Sequence, residues 1–347
     1  MSEVNIYTPR LLVAAINQVF APKRFLLDTF FHHKIEHETE KVDIDIKRGN
    51  MDIAVYVHPL EKGNYVENTG FETKTVAPCY TKEIKDIRPG DTIKRLFGED
   101  YSAPLSPKQR EQRLLGERLF DLDTRIVRLE EVMAAQALVH GYVKVKGKRN
   151  NFQYDFGYEL GRQKIILSGN KCWDKQGDPM YDIQDWSEKI SERMGQAPSI
   201  IIGGIRAIRA IIDNPKIKER LDIRNFHVGE INIAQTEELR KQGVIYYGSL
   251  APSYIPIYSY SGQYLNPVTN KVESLIPDDT VLLGCTNAGC TMLYGMIQNT
   301  YALAPMPRFP HSWAELDGSA RYIQLESAPL PNPAQIDAFI SARVLSN

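Results

Sequence analysis

Between residues 106 and 141, apolar side chains recur at intervals of three and four, which is the pattern of one face of a helix. Ser106 and Pro107 predict the start of this helix, with Gln109 completing a capping box, and Gly141 predicts its end. The apolar stripe consists of Leu115, Leu119, Leu122, Ile126, Leu129, Met133 and Ala137.

The predicted helix is unusually long. About 34 residues at ~1.5 Å each give roughly 50 Å, whereas a typical globular helix has ~12 residues. A single stripe of this length is buried either in a coiled-coil dimer or on a sheet along which the helix lies. The sheet is favoured because an alternating hairpin follows at once, with strands over Tyr142–Lys146 and Phe152–Phe156.

Near the N-terminus, two apolar segments have no local core. Residues 8–19 predict an amphipathic helix, and residues 25–31 contain Phe25, Phe30 and Phe31. Such a cluster of phenylalanines in solvent would promote aggregation. We therefore expect an N-terminal arm whose aromatic anchor docks on another surface.

Residues 40–98 change in character and predict long, mostly polar strands. The strand-like stretches are Val42–Lys47, Ile53–Val57 and Thr73–Ile84. A two-stranded ribbon is marginal alone in water. We expect this ribbon to need another surface, which in an oligomer is the neighbouring subunit.

The second half of the chain alternates short helices and strands. The predicted helices are Ile183–Met194, Ile205–Asp213, Lys216–Leu221 and Thr236–Gln242. The predicted strands are Ser199–Ile202, Val244–Tyr247, Ile255–Tyr264, Val281–Leu283, Thr291–Gln298, Ala320–Leu325 and Ala338–Val344.

Bulk composition excludes several classes of function. The chain has 347 residues and a net charge of −1, so it has no overall electrostatic attraction to nucleic acid or anionic membranes. Its four cysteines contain no Cys-x-x-Cys pair, which indicates free thiols in a reducing compartment. The sequence has neither a signal peptide nor an apolar run near ~18 residues. We expect a soluble protein made in the cytoplasm.

The segment Gly284–Thr291 has the glycine spacing of a P-loop, but Cys290 occupies the lysine position. The residues after it predict a strand, so no helix N-terminus would face a phosphate. A tight glycine turn between strands is the favoured interpretation, and an α/β nucleotide-binding enzyme using Gly284 to Gly289 remains the weaker one.

Other chemical candidates are also weak. His33 and His37 would share a helix face, but no third metal ligand is evident and a surface cluster is favoured. The basic stretch Lys144–Arg149 predicts a solvated hairpin tip, with phosphate contact as the alternative. Ser261 and Gly262 do not form a nucleophile elbow. We therefore expect no catalytic, cofactor-binding or metal-binding residues.

Several segments near the C-terminal end together resemble the major capsid proteins of lambda-like phages. These are a YSGQY strand, a proline–aspartate turn with an apolar strand ending in glycine, a strand with Tyr-Gly-x-Ile-Gln, and two proline-containing segments. They correspond to Tyr258–Tyr264, Leu275–Cys285, Thr291–Gln298, Pro307–Pro310 with Trp313, and Leu325–Leu330. Weaker matches are Glu40–Val42, Ala54–Pro59 and Arg95–Asp100.

The resemblance implies an α+β protein with the Hong Kong 97-type capsid fold. Its parts would be an N-terminal arm, an extended loop, a peripheral domain with a long spine helix and hairpin, an axial domain, and strands returning to the peripheral domain. The implied boundaries are about 1–38, 39–103, 104–165, 166–318 and 319–347.

The implied function is that of a major head protein of a tailed phage or prophage, which is not an enzyme. Hexamers and pentamers would form an icosahedral shell around double-stranded DNA, bound without sequence specificity. A separate scaffolding protein is expected because no scaffolding segment precedes the arm, together with a portal, a maturation protease and, as an option, a decoration protein. A tube or filament protein shares this assembly logic and remains the alternative.

Overall fold

The computed structural model describes residues 24–46, 72–100, 102, 104–147, 151–215, 217, 221–222, 233–250, 253–302 and 304–346. The predicted helix over residues 8–19 and the predicted strand over Ile53–Val57 lie outside these residues. The predicted helix over Lys216–Leu221 lies mostly outside them, and its last residue belongs to a strand.

Helices and strands both contribute, as expected for an α+β protein. The helices are α1 Phe25–Phe30, α2 Pro89–Ile93, α3 Pro107–His140, α4 Pro179–Met194, α5 Ile205–Asp213 and α6 Ile233–Lys241. The first strands are β1 His33–Glu36, β2 Val42–Ile46, β3 Glu72–Val76, β4 Thr81–Ile87, β5 Tyr142–Lys146, β6 Asn151–Asp155, β7 Lys164–Ile166, β8 Ile200–Gly203 and β9 Leu221–Asp222. The later strands are β10 Val244–Leu250, β11 Ile255–Tyr260, β12 Gln263–Leu265, β13 Val272–Ser274, β14 Thr280–Gly284, β15 Thr291–Tyr294, β16 Phe309–Ala314, β17 Arg321–Ser327, β18 Pro329–Asn332 and β19 Phe339–Arg343.

The long helix α3 has the predicted bounds and the predicted caps. It spans 34 residues, the Ser106 hydroxyl accepts a hydrogen bond from the Gln109 amide, and the Gln109 side chain accepts one from the Ser106 amide. Gly141 ends the helix at φ 73°, in the left-handed region that glycine adopts without strain.

The apolar stripe of α3 is covered by the chain's own strands, which confirms the helix-on-sheet interpretation. Its N-terminal half packs under a sheet of order β16-β17-β4, where Ile323 and Leu325 of β17 join Leu119, Leu122 and Ile126 in one core. Its C-terminal half packs on β18 and on the β5–β6 hairpin, and the base of the β2–β3 ribbon belongs to the same core.

The largest core surrounds a sheet of order β7-β19-β14-β8-β11-β10-β9, with every residue of β8 buried. Strand β19 pairs with β14 and β7 in this sheet. Strand β17 instead pairs with β16 and β4, so residues 319–347 contribute strands to two different sheets. The expected boundary at residue 318 likewise divides β16 from its partner β17.

Two predicted single strands are each divided in the structure. The Ile255–Tyr264 stretch splits at Gly262, where a Cβ would lie 2.5 Å from the Tyr260 ring, so the chain leaves the large sheet and forms the β12–β13 hairpin. The Thr73–Ile84 stretch splits around Pro78, which has no amide hydrogen for a ladder. The ribbon strand β3 and the sheet strand β4 lie on either side of it.

Candidate functional site in the long helix

Two adjacent carboxylates lie in the buried part of α3. Glu130 has 3% and Glu131 has 1% of its surface exposed. Successive helical residues point about 100° apart, so the two side chains reach different neighbours. A buried carboxylate is costly unless it is paired or hydrogen-bonded, and the partners of each therefore identify what this part of the helix holds together.

The first carboxylate, Glu130, forms a bidentate ion pair. Nη1 and Nη2 of Arg308 each donate to one of its oxygens at 2.8 Å, and the Tyr294 hydroxyl donates at 3.0 Å. Nε of Arg308 donates to Asp123 at 2.8 Å, also on α3. Tyr294 ends β15 and Arg308 lies just before β16, so this ion pair ties both strands to the helix.

The second carboxylate, Glu131, accepts three hydrogen bonds from uncharged donors. Its Oε1 accepts from the Leu26 amide at 2.8 Å and from the Tyr260 hydroxyl at 2.9 Å, and its Oε2 accepts from the Leu27 amide at 3.1 Å. These amides belong to the first turn of α1, where the N-cap residue Arg24 makes no side-chain cap. Glu131 therefore caps α1 from another helix.

The environment of Glu131 favours its neutral form. Burial raises the pKa of this carboxyl to about 7, although its hydrogen bonds from Leu26, Leu27 and Tyr260 lower it, and the nearby Asp28 carboxylate adds to the rise. Among the described residues, no Lys, Arg or His side chain forms an ion pair with it. The site is thus a carboxyl that titrates near neutral pH.

Three segments that carry the sequence resemblance meet at these two carboxylates. Tyr260 belongs to the YSGQY segment, Tyr294 to the Tyr-Gly-x-Ile-Gln segment, and Arg308 to the first proline-containing segment. Sequence reasoning did not find Glu130 or Glu131. The available signal was their position four residues after the apolar Ile126 and Val127, which places two charges on buried faces of the helix.

A second feature, near the start of α3, is a turn that presents apolar side chains to solvent. Ile93 is 72% exposed and Phe97 is 99% exposed. Arg110 donates to both oxygens of Glu99 and to the Ile93 carbonyl, while Arg113 donates to the Phe97 carbonyl at 2.9 Å. Hydrogen bonding from Arg110, together with the Leu96 and Leu105 amides, lowers the pKa of Glu99 to about 2.

The ribbon strands β2 and β3 pair only with each other among the described strands. Val42 and Ile44 are fully buried in the same core as the α3 residues Met133 and Ala137, so the base of the ribbon belongs to a core of its own chain. The pairing runs from Val42 with Val76 to Ile46 with Glu72. Residues 47–71, which join the two strands, lie outside the described residues.

The predicted glycine turn is confirmed. Strand β14 ends at Gly284 and strand β15 begins at Thr291, so no helix follows the turn, and Gly289 adopts φ 67°. Cys285 and Cys290 are free, buried thiols, as predicted. Burial raises the pKa of Cys290 to about 12, which keeps this thiol protonated and unreactive.

The interpretation of His33 and His37 as neighbours on a helix face is wrong. His33 begins strand β1, which pairs in parallel with β15, and its side chain is exposed. Within the ranges that the structure describes, no group of three or more metal-binding side chains is found. Of the basic stretch Lys144–Arg149, Lys144 and Lys146 are exposed on β5, and residues 148–150 lie outside the described residues.

None of the helices in the described part of the chain has the length and hydropathy needed to cross a membrane.

Comparison with protein families gives a match along nearly the whole chain. The model of the family described as phage major capsid protein E matches residues 8–344. The major capsid protein of Escherichia phage lambda is 28% identical, with 98% of this chain and 100% of the relative covered. The major capsid proteins of phages N15 and phi80 are 27% and 26% identical over the same shares.

Solved structures agree with this match at the level of the fold. A prophage capsid protein from Escherichia coli CFT073 has a TM-score of 0.76 at 22% identity, covering 97% of this chain and 98% of that one. The mature capsid of bacteriophage PhiM1 gives a TM-score of 0.50 at 9% identity, covering 95% and 89%. The fold is therefore the α+β capsid fold of the Hong Kong 97 type.

Proposed function

The chain belongs to the phage major capsid protein E family, and from this premise we propose that it forms hexamers and pentamers of an icosahedral head shell that encloses double-stranded DNA. It is a major capsid protein, with a structural role in the virion. The observation that carries the proposal is the match of residues 8–344 to the family, together with full coverage of the lambda relative.

The shell unit divides as the resemblance implies, with two amendments. Residues 1–38 act as the N-terminal arm and residues 39–103 as the extended loop. The peripheral domain comprises α3, its hairpin and the β16-β17-β4 sheet. The axial domain comprises the large sheet, including β19. The sheet pairings support these amendments, since strands of one sheet move together.

The contacts between subunits involve the ribbon and the exposed apolar side chains. The base of the β2–β3 ribbon shares a core with the chain's own α3, and the ribbon reaches a neighbouring subunit in the shell. Exposed Phe97 and Ile93 add apolar area that a neighbour would cover. Heterologous contacts of this kind close into rings when the rotation between copies permits.

Several partners complete the assembly. We propose a separate scaffolding protein, a portal, a maturation protease and an optional decoration protein, with assembly in the cytoplasm of the bacterial host. DNA is enclosed without sequence-specific contacts, in keeping with the net charge of −1. The lack of catalytic, cofactor-binding and metal-binding residues stays a prediction.

The experiment that tests this function removes residues 47–71 and joins Ile46 to Glu72 through an Asn-Gly turn. These two residues are paired in the ribbon, so the shortened hairpin keeps its register. We expect a soluble, folded protein that makes no shells when co-expressed with the phage's other head proteins. The intact chain, expressed in parallel, is the control.

Electron microscopy of both samples distinguishes the outcomes. Spherical shells from the intact chain and none from the variant support the proposal. Normal shells from the variant would show that residues 47–71 are not needed for shell assembly. Tubes or filaments from the intact chain under every condition would favour a non-capsid assembly protein.

A further inference from the structure

Helix α1 lies at the junction between the long helix and the large sheet. Its residues share one core with residues of α3 and of the large sheet. The Phe25 ring lies 5.3 Å from the Tyr260 ring, and the Phe30 ring lies 5.5 Å from the Phe339 ring, measured between centroids. Any change in how α1 is held therefore affects the contact between α3 and the large sheet.

The helix has only six residues, so it is too short to persist without its surroundings. Its first-turn amides need an acceptor, and Glu131 supplies both oxygens to Leu26 and Leu27. The same carboxyl accepts from Tyr260 in the large sheet. One buried side chain of α3 thus holds α1 and the sheet together.

We propose that Glu131 makes the docking of α1 between the long helix and the large sheet depend on pH. Docking is tighter when this carboxyl is protonated. A protonated Glu131 keeps Oε1 as an acceptor for the Leu26 amide and the Tyr260 hydroxyl, and its proton on Oε2 displaces the Leu27 hydrogen bond. That loss is smaller than the penalty of holding an unpaired negative charge in the core.

Within the described ranges, the charged groups around Glu131 do not supply a counter-ion. On α1, Asp28 pairs with Arg24 and its carboxylate opposes a charge on Glu131. On α3, the adjacent Glu130 is neutralised by Arg308. From β11 the only titratable partner is the Tyr260 hydroxyl, and from β15 the Tyr294 hydroxyl bonds to Glu130. From β1, Lys34 has a pKa lowered by burial and by Arg24.

The sign of the pH effect follows from linkage. The pKa of the Glu131 carboxyl rises from an ordinary value of 4.5 to about 7 when α1 is docked, so docking takes up a proton between these values. Docking is strongest below pH 4.5 and weakens as pH rises to about 7. The docking constant changes by up to about tenfold per pH unit, or about 300-fold in total.

Hydrogen exchange of the purified full chain tests the proposal between pH 5 and pH 9. The readout is the protection factor of the α1 amides divided by that of the β8 amides in the large sheet, each corrected for the intrinsic exchange rate at that pH. We expect the ratio to fall by up to about 40-fold from pH 5 to pH 7 and to be level above about pH 8. A ratio independent of pH would overturn the proposal.

Three variants separate Glu131 from other titrating groups. Glu131→Gln is neutral at every pH and should give a level ratio, and a slope equal to that of the unmodified chain would overturn the proposal. Tyr260→Phe removes one hydrogen-bond donor from the carboxylate, which should raise the pKa of Glu131. The pH at which the protection ratio becomes level should therefore move upward. This variant tests the proposal if the glutamine variant does not fold. Glu99→Gln removes a buried carboxyl elsewhere on the molecule and should leave the slope unchanged.

Discussion

On one side of α3 the carboxylate of Glu130 faces the guanidinium of Arg308, whereas one residue later the carboxylate of Glu131 faces two backbone amides and a phenol. Both are buried. The first carboxylate is paired with a cation, whereas burial raises the pKa of the second to about 7. A helix can therefore hold one neighbour by an ion pair and another by a contact whose strength depends on pH.

The largest expected effect comes from breaking the paired side. Arg308→Ala leaves Glu130 buried without its cation and should lower the free energy of unfolding by about 3–5 kcal/mol. Urea unfolding followed by circular dichroism at pH 8 measures it. The matched double variant Glu130→Gln with Arg308→Met removes both charges and should lose less than Arg308→Ala alone. A larger loss in the double variant would contradict the account.

The next effect comes from the unpaired side. Glu131→Ala leaves the amides of α1 without an acceptor and should cost about 2 kcal/mol at pH 6. At pH 8 the cost should be smaller, because the substitution also removes an uncompensated buried charge. Urea unfolding at both pH values measures the difference. Equal costs at the two values would mean that Glu131 does not titrate in this range.

Two tyrosines allow a finer comparison. Tyr260→Phe and Tyr294→Phe each remove one hydroxyl donor from a buried carboxylate, for which a loss of about 1–3 kcal/mol is expected. Tyr260→Phe should cost more at pH 8, because Glu130 retains both hydrogen bonds from Arg308, whereas Glu131 has no cation in the described part of the chain. Chemical denaturation of the two variants in parallel gives the ranking, and the reverse ranking would contradict it.

The smallest expected effect concerns Glu99, whose contribution to stability changes with pH in the opposite direction to that of Glu131. Its pKa is lowered to about 2 by the hydrogen bond from Arg110, so its stabilising effect is present above its ordinary value of 4.5 and is lost as pH falls toward 2. That of Glu131 is instead lost as pH rises from 4.5 to about 7. Urea unfolding between pH 3 and pH 8 gives the free energy of unfolding that each variant, Glu99→Gln or Glu131→Gln, loses relative to the unmodified chain. Plotted against pH, these two losses should have slopes of opposite sign.

The sequence predicted the elements whose cause is local. The start of α3 follows from Ser106, Pro107 and Gln109, and its end from Gly141, all within a few residues of the helix termini. The bounds of α5 were also predicted. The strand after the glycine turn at Gly284 was predicted because the residues after it lack helical periodicity.

The errors arose where a distant contact overrides local pattern. His33 was placed on a helix, but its backbone pairs with β15, which lies far away in sequence. The Ile255–Tyr264 stretch has uniform strand propensity, yet Gly262 divides it because the Tyr260 ring and Leu275 occupy the space beside it. Order along the chain also does not specify which sheet the last strand joins, and β19 pairs with β14 and β7.

By itself, the sequence determined the periodicity of the long helix, its caps, the absence of a lysine in the glycine turn and, through its C-terminal segments, the capsid family. These depend on residues close to one another in the chain. Only the tertiary structure decided the partners of Glu130 and Glu131, because Leu26 is 105 residues from Glu131 and Arg308 is 178 residues from Glu130. A buried charge is specified by what surrounds it in space, and no local pattern of residues encodes that surrounding.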